Sequence, residues 1–182
     1  RVTRNDDGSY SICNVVGADE YANGVDDNAF TNGAAIRALE YACEAAKICN
    51  EPVPEIWEEV GKNIRILRFK DGITREHATY NGEMIKQADV NLLGYPLYFV
   101  GDAEWQKKDM EYYVDKIDPQ NGPAMSYSVF CVQYARMGDA KRAYEMFCRC
   151  YQPNLRAPFG VLAETPTSDN PVSYTHLRAH ET

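Results

Sequence analysis

Three short stretches of this 182-residue chain hold side chains that could do chemistry. The first is Asp19-Glu20, two adjacent acids that follow an apolar run and precede Tyr21, with Asn23, Gly24, Asp26, Asp27 and Asn28 close behind. Such a density of hydrogen-bonding groups suits a sugar, although composition alone favours the plainer reading of a polar loop with a helix cap. The second is Lys86-Gln87-Ala88-Asp89, a cation and an amide at the head of an otherwise apolar stretch, where both could hydrogen-bond ring hydroxyls; a solvated first helical turn looks the same. The third is Glu164, which ends Phe159-Gly160-Val161-Leu162-Ala163 and so places an acid at the mouth of an apolar stretch. Buried neighbours there would suit it to general acid or base work, whereas an exposed surface Glu is the ordinary case.

These residues need elements to hold them. Ile12–Val16 reads as a strand or extended segment feeding a loop. From Asn28 the period becomes helical and small-residue-rich to about Cys49, with Asp26 or Asp27 placed to cap it. After Pro52 and Pro54, the residues Ile56, Trp57, Val60, Ile64 and Leu67 recur at three and four, which predicts a second helix. Gly72–Met84 is turn-rich. Ile85–Leu93 predicts a helix that Gly94 and Pro96 end, and Trp105–Ile117 another. Met125–Met137, Gly138 as C-cap, Asp139 as N-cap and a helix to Cys150 form an antiparallel helix pair. Pro153–Asn170 is loop-like. The pattern is all-α, helical pairs joined by polar loops, which suits a toroid or bundle with its loops gathered at one end.

Composition limits the partners. With 27 acidic against 19 basic residues the formal charge is −8, which argues against nucleic acid. The longest apolar stretches, such as Val90–Val100, are interrupted by Asn91, Gly94 and Pro96 and fall short of the roughly 18–20 residues that cross a bilayer, so no membrane partner is expected. Six cysteines show neither CxxC pairs nor zinc spacing and read as reduced core thiols in a cytoplasm. His176 and His180 have an i, i+4 spacing but no Glu beside the first and no third ligand, so no metal is expected; His77 reads as a solvated loop residue. Arg1 stands where an initiator Met is expected, and residues 173–182 share no period with what precedes them. The first reads as a cut and the second as a non-native read-through tail.

Taken in order, the three stretches resemble glycoside hydrolase family 65, the family of trehalases, maltose phosphorylases and kojibiose phosphorylases. The resemblance runs from about Ser9 to Val172. Val16-Gly17-Ala18-Asp19-Glu20-Tyr21 with Gly24-Val25-Asp26-Asp27-Asn28-Ala29-Phe30-Thr31-Asn32 looks like the family's Asp-Glu-Tyr-His and Asn-Asn-x-Tyr-Thr-Asn block. Lys86-Gln87-Ala88-Asp89-Val90 with Leu92-Leu93-Gly94-Tyr95-Pro96 looks like its Lys-Gln-Ala-Asp-Val block. Gly122-Pro123-Ala124-Met125-Ser126-Tyr127-Ser128 and the stretch ending at Glu164 resemble the hydrolase branch, which includes acid trehalase-like proteins, kojibiose hydrolases and the glucosidase of glucosylgalactosylhydroxylysine.

The resemblance implies a partial (α/α)6 barrel over residues 1–172, truncated at both ends, whose loops close over a terminal glucose. It implies Glu20 as general acid, with Lys86 and Gln87 binding the glucose and Asp19 either orienting Glu20 or binding a hydroxyl. At Glu164 the phosphorylases carry a Gly-x-His stretch that holds phosphate, so Leu162-Ala163-Glu164 resembles instead the hydrolases' catalytic base. The expected reaction is inverting hydrolysis of an α-linked glucoside, without a cofactor, the two carboxyls roughly 6.5–9.5 Å apart around a water. The runner-up is a disaccharide phosphorylase yielding β-glucose 1-phosphate. A non-catalytic helical-repeat module predicts a recurring consensus that the sequence lacks, and leaves the acids unexplained. Ala22 replaces the family's histidine, which touches substrate choice more than chemistry. The family's Trp-Asp segment lies upstream of residue 1, and an isolated partial barrel is expected to expose apolar faces and to be inactive.

Overall fold

In the computed structural model residues 2–168 are described. The tail read at 173–182, its histidines and the boundary at 172 lie outside the described residues. Strand β1 (Val2–Arg4) pairs antiparallel with β2 (Tyr10–Ile12), Val2 opposite Ile12. Helices α1 (Ala29–Ile48) and α2 (Glu55–Asn63) follow, then a single 3-10 turn at Val90–Leu93, then α3 (Ala103–Tyr113), α4 (Met125–Arg136) and α5 (Ala140–Tyr151). A last hairpin joins β3 (Leu155–Arg156) to β4 (Val161–Leu162), Leu155 opposite Leu162. The chain is thus helix-rich, as the periodicity predicts, with two small antiparallel sheets added to the all-α expectation. Among the described residues no helix is long and apolar enough to cross a membrane.

Local chemistry explains the helix ends. The Asn28 side chain accepts the Thr31 N–H at 2.9 Å, so Asn28 caps α1 and neither Asp26 nor Asp27 does. Asp27 sits instead in the left-handed region (φ 53°), buried, where it accepts the Ser11 hydroxyl at 3.0 Å and the Asn32 amide at 3.3 Å. Gly138 follows α4 at φ 78°, and Asp139 caps α5 by accepting the Arg142 N–H at 3.0 Å.

Two expected helices give way to tertiary pairing. α2 stops at Asn63 because Ile64 extends and bridges Tyr10 in parallel, putting Tyr10, Ile36, Val60 and Ile64 into one small core. The Ile85–Leu93 helix does not form. Ile85 bridges Ile117 in parallel, the Lys86 N–H goes to Asp19 and the Ala88 N–H goes to the Ser126 hydroxyl. The Ile85 carbonyl, which a helix would need to accept the Asp89 N–H, instead accepts the Asp118 N–H at 2.8 Å, and only the 3-10 turn survives. The larger core gathers Tyr80, Ile85, Leu93, Met110, Tyr113 and Phe130 around that stretch, α3 and α4. The cysteines also depart from expectation: all six are free, but Cys43 alone is buried, and Cys13 and Cys49 are exposed. Those two lie at loop and helix-end positions that no core element covers.

Candidate active site

The acids stand on a loop closed at its base. Val15 and Val25 exchange both backbone hydrogen bonds, at 2.9 and 3.0 Å, and the intervening residues carry Asp19-Glu20-Tyr21 outward. Asp89, wholly buried, clamps this loop from below: Oδ2 accepts the N–H of Ala18 at 2.8 Å, that of Asp19 at 3.3 Å and the Asn28 amide at 3.0 Å, while Oδ1 accepts the Phe30 N–H at 3.3 Å. Burial pushes the Asp89 carboxyl up to about 6 against those four donors. The approach is so close at Gly17 that a Cβ there would lie 2.3 Å from Asn28 Nδ2, which explains why a glycine stands at that point.

Asp19 is also buried. Its Oδ1 accepts the main-chain N–H of Lys86 at 2.7 Å and of Tyr21 at 3.2 Å, and burial raises its carboxyl above the ordinary value while those donors oppose the rise. The Lys86 ammonium, 23% exposed, pairs with the Glu20 carboxylate, 59% exposed. Glu20 raises the Lys86 pKa most, by hydrogen bond and charge, and the Glu164 carboxylate acts on the same ammonium through space. The structure therefore pairs Glu20 with Lys86, and Glu164 reaches that ammonium only as a longer-range charge. The Gln87 amide donates to the Ala18 carbonyl at the base of the loop that carries Glu20. Lys86 and Gln87 lie on a bend after the Ile85 bridge, not on the helical first turn that their pattern predicts.

Glu164 departs from expectation as well. It follows β4 on the surface, with its carboxylate exposed rather than set among buried neighbours, because only Ala163 of the preceding run is buried while Phe159 and Val161 point outward at 89% and 46% exposure. Its main-chain oxygen is what is fixed, accepting the Ala124 N–H at 3.2 Å and the Asn154 amide at 3.0 Å.

Tyr21, Asp118, His77 and Glu76 also shape the site, and of these the sequence does not single out Asp118 or Glu76. Tyr21 donates its hydroxyl to Asp118 at 2.8 Å; the N–H groups of Asn121 and Gln120, then that phenol, hold the Asp118 carboxyl well below the usual range. Beside Asp19 lies a cavity of about 330 Å³ lined by Tyr21, Ala22, Asn23, His77 and Glu83. His77 is half-buried rather than solvated: it meets the Tyr80 ring edge-on at 5.6 Å, hydrogen-bonds Thr79 at 3.2 Å, and burial lowers its pKa. Glu76, next to it, is wholly buried. The stretch Arg75-Glu76-His77 reads as a charged loop, and nothing local marks Glu76 as interior. Among the described residues no cluster of three His, Cys, Asp or Glu could hold a metal ion.

Residues 1–81 match the glycosyl hydrolase family 65 central catalytic domain. The kojibiose hydrolase of Mucilaginibacter mallensis is 48% identical over 171 residues, covering 94% of this chain and 25% of that protein. The kojibiose hydrolase of Flavobacterium johnsoniae is 44% identical with the same coverage, and the protein-glucosylgalactosylhydroxylysine glucosidase of Danio rerio is 34% identical over 172 residues, 92% of this chain and 26% of that protein. In fold, the chain is similar to a solved putative kojibiose phosphorylase from the human microbiome, with a TM-score of 0.64 at 19% identity over 81% of this chain and 25% of that one. The chain belongs to glycoside hydrolase family 65. It spans about a quarter of the length of the curated relatives it matches.

Proposed function

We propose that residues 1–172 are a segment of a partial (α/α)6 barrel in an inverting α-glucoside hydrolase, with Glu20 as general acid, Glu164 as general base, and Lys86, Gln87 and Asp19 as glucose contacts. The observation that carries this reading is the Lys86–Glu20 pair: a cation capable of holding a sugar hydroxyl stands against the proposed acid, with the charge of Glu164 acting on it at longer range. The packed pairs α1 with α2 and α4 with α5 supply helix hairpins of the kind such a barrel repeats.

In this mechanism a hydroxyl of the terminal glucose takes up the Lys86 ammonium, and Glu20, freed of its cation, takes a proton from solvent and turns toward the glycosidic oxygen. Glu20 protonates that oxygen as the bond to the anomeric carbon breaks, and Glu164 removes a proton from a water attacking the opposite face. The Asp89 clamp keeps the acid loop from shifting during proton transfer, since misplacement by about 1 Å costs on the order of 100-fold in rate. Hydrolase names among the relatives and an acid at position 164 support water over phosphate as nucleophile. The free thiols favour a reducing compartment such as a cytoplasm.

Proton NMR of the first sugar released by the full-length gene product tests the stereochemistry. Inversion gives β-glucose before mutarotation; α-glucose as the first product would mean retention and remove Glu164 from the role of base.

A further inference from the structure

Behind the loop that presents Glu20, three carboxyl groups meet with no cation among them. Glu76 and Asp89 are wholly buried and Asp19 is 2% exposed. The donors are divided unevenly. Asp89 receives the N–H groups of Ala18, Asp19, Asn28 and Phe30, and Asp19 those of Lys86 and Tyr21. Neither carboxyl oxygen of Glu76 receives an N–H or O–H from the protein.

The Asn28 amide donates both to the Glu76 carbonyl at 3.5 Å and to Asp89 at 3.0 Å, and Asp89 accepts the Asp19 N–H at 3.3 Å, so Glu76 and Asp19 flank one buried carboxyl and their own side chains lie within hydrogen-bonding reach. Oxygen against oxygen, the contact is attractive only when one of the two carries a proton, and the group with no other donor is the one least able to hold a charge. The titratable groups that face Glu76 are Asp19, Asp89, Glu83 and the phenols Tyr80 and Tyr113, none of them a cation. Its place is fixed by its main chain, where the Glu76 carbonyl accepts the Ala29 N–H at 2.7 Å at the start of α1.

We propose that Glu76 is a positioning residue: a neutral carboxylic acid whose O–H donates to Asp19 and holds Asp19 Oδ1 beneath the Lys86 N–H, setting the Lys86 ammonium against Glu20. The inference rests on the reading of Glu20 and Lys86 as acid and sugar contact. Burial, then the charges of Asp89 and Asp19, push the Glu76 carboxyl up to about 9, so the proton is retained through the neutral range. A glutamine in its place keeps a neutral donor of the same shape, and a leucine keeps neither proton nor polarity.

The test uses the full-length gene product as wild type, Glu76→Gln and Glu76→Leu. It reads the infrared carbonyl band of protonated carboxyls at neutral pH together with kcat, KM and the pH profile on an α-glucosyl disaccharide. The wild type is expected to show a protonated-carboxyl band that E76Q lacks. E76Q is expected to keep kcat within a few-fold and to lose the alkaline fall that the wild type shows as pH approaches about 9. E76L is expected to lose kcat on the order of 100-fold, with KM rising less. Should E76L fail to fold, the band and E76Q decide. A wild type that hydrolyses the disaccharide without showing the band, or an E76Q as impaired as E76L is expected to be, would overturn the proposal. A wild type that shows the band but releases no sugar would overturn the hydrolase reading instead.

Discussion

The Lys86 ammonium and the Glu20 carboxylate form an ion pair across 66 residues of sequence. This contact ties the acid loop to the bend after Ile85, and the charge of Glu164, just past the last hairpin, acts on the same ammonium at longer range.

Lys86→Met removes that cation while keeping much of the stem. In the full-length gene product it should lower kcat/KM by roughly 10- to 150-fold, the value of a charge-assisted hydrogen bond of about 1.5–3 kcal/mol, with an unchanged circular dichroism spectrum. Steady-state kinetics on a disaccharide panel checks this, and a variant of full activity would detach Lys86 from the sugar.

Asp89→Ala leaves four N–H donors in the interior without an acceptor. The expected loss of stability is about 3–5 kcal/mol, read by urea unfolding, together with faster proteolysis near Ala18. A midpoint equal to wild type would mean that Asp89 does not hold the loop.

Stability should depend on pH in a definite direction. Glu76 is raised from 4.5 to about 9 by burial and neighbouring acids, so the folded state keeps a proton that the unfolded state has lost throughout that interval. Stability from this group is complete below 4.5 and declines as pH rises toward about 9, with a slope up to about 1.4 kcal/mol per pH unit for one proton. Asp89 and Asp109, both raised to about 6, act in the same direction over the more acidic part of the range. Asp118, held low by its donors, acts oppositely and loses its contribution only in strong acid. Urea midpoints between pH 6 and 9 should therefore fall, and fall less in E76Q; a flat wild-type profile would contradict the assignment.

The isolated 182-residue chain should expose apolar surface. Ile48, Tyr144 and Phe159 are 73%, 70% and 89% exposed, on α1, α5 and the last hairpin. Binding of a hydrophobic dye and concentration-dependent aggregation are expected, whereas cooperative, reversible unfolding of the isolated chain would show that it is self-sufficient.

The residues of the candidate site were easier to read than their settings. All five helices of the described residues are legible in outline because their periodicity and caps are local: Asp139, Gly138 and the small-residue face of α1 act within a few positions of themselves. The apolar pattern of α2 runs on to Ile64 and Leu67 while the helix ends at Asn63, since Ile64 answers to Tyr10, more than 50 positions upstream, and not to its own helix. Lys86 and Gln87 stand out as types, yet Ile85 pairs with Ile117 and the predicted helix is lost to that distant bond. Glu76 is the extreme case. Between Arg75 and His77 it looks solvated, and only the closure of α1 and the acid loop over it makes it interior.

The most direct measurement follows glucose release from α-linked disaccharides by the full-length gene product, with and without inorganic phosphate, for wild type and Glu164→Gln. The account predicts free glucose at the same rate without phosphate and its loss in the variant. Phosphate-dependent formation of β-glucose 1-phosphate, undiminished in Glu164→Gln, would contradict it.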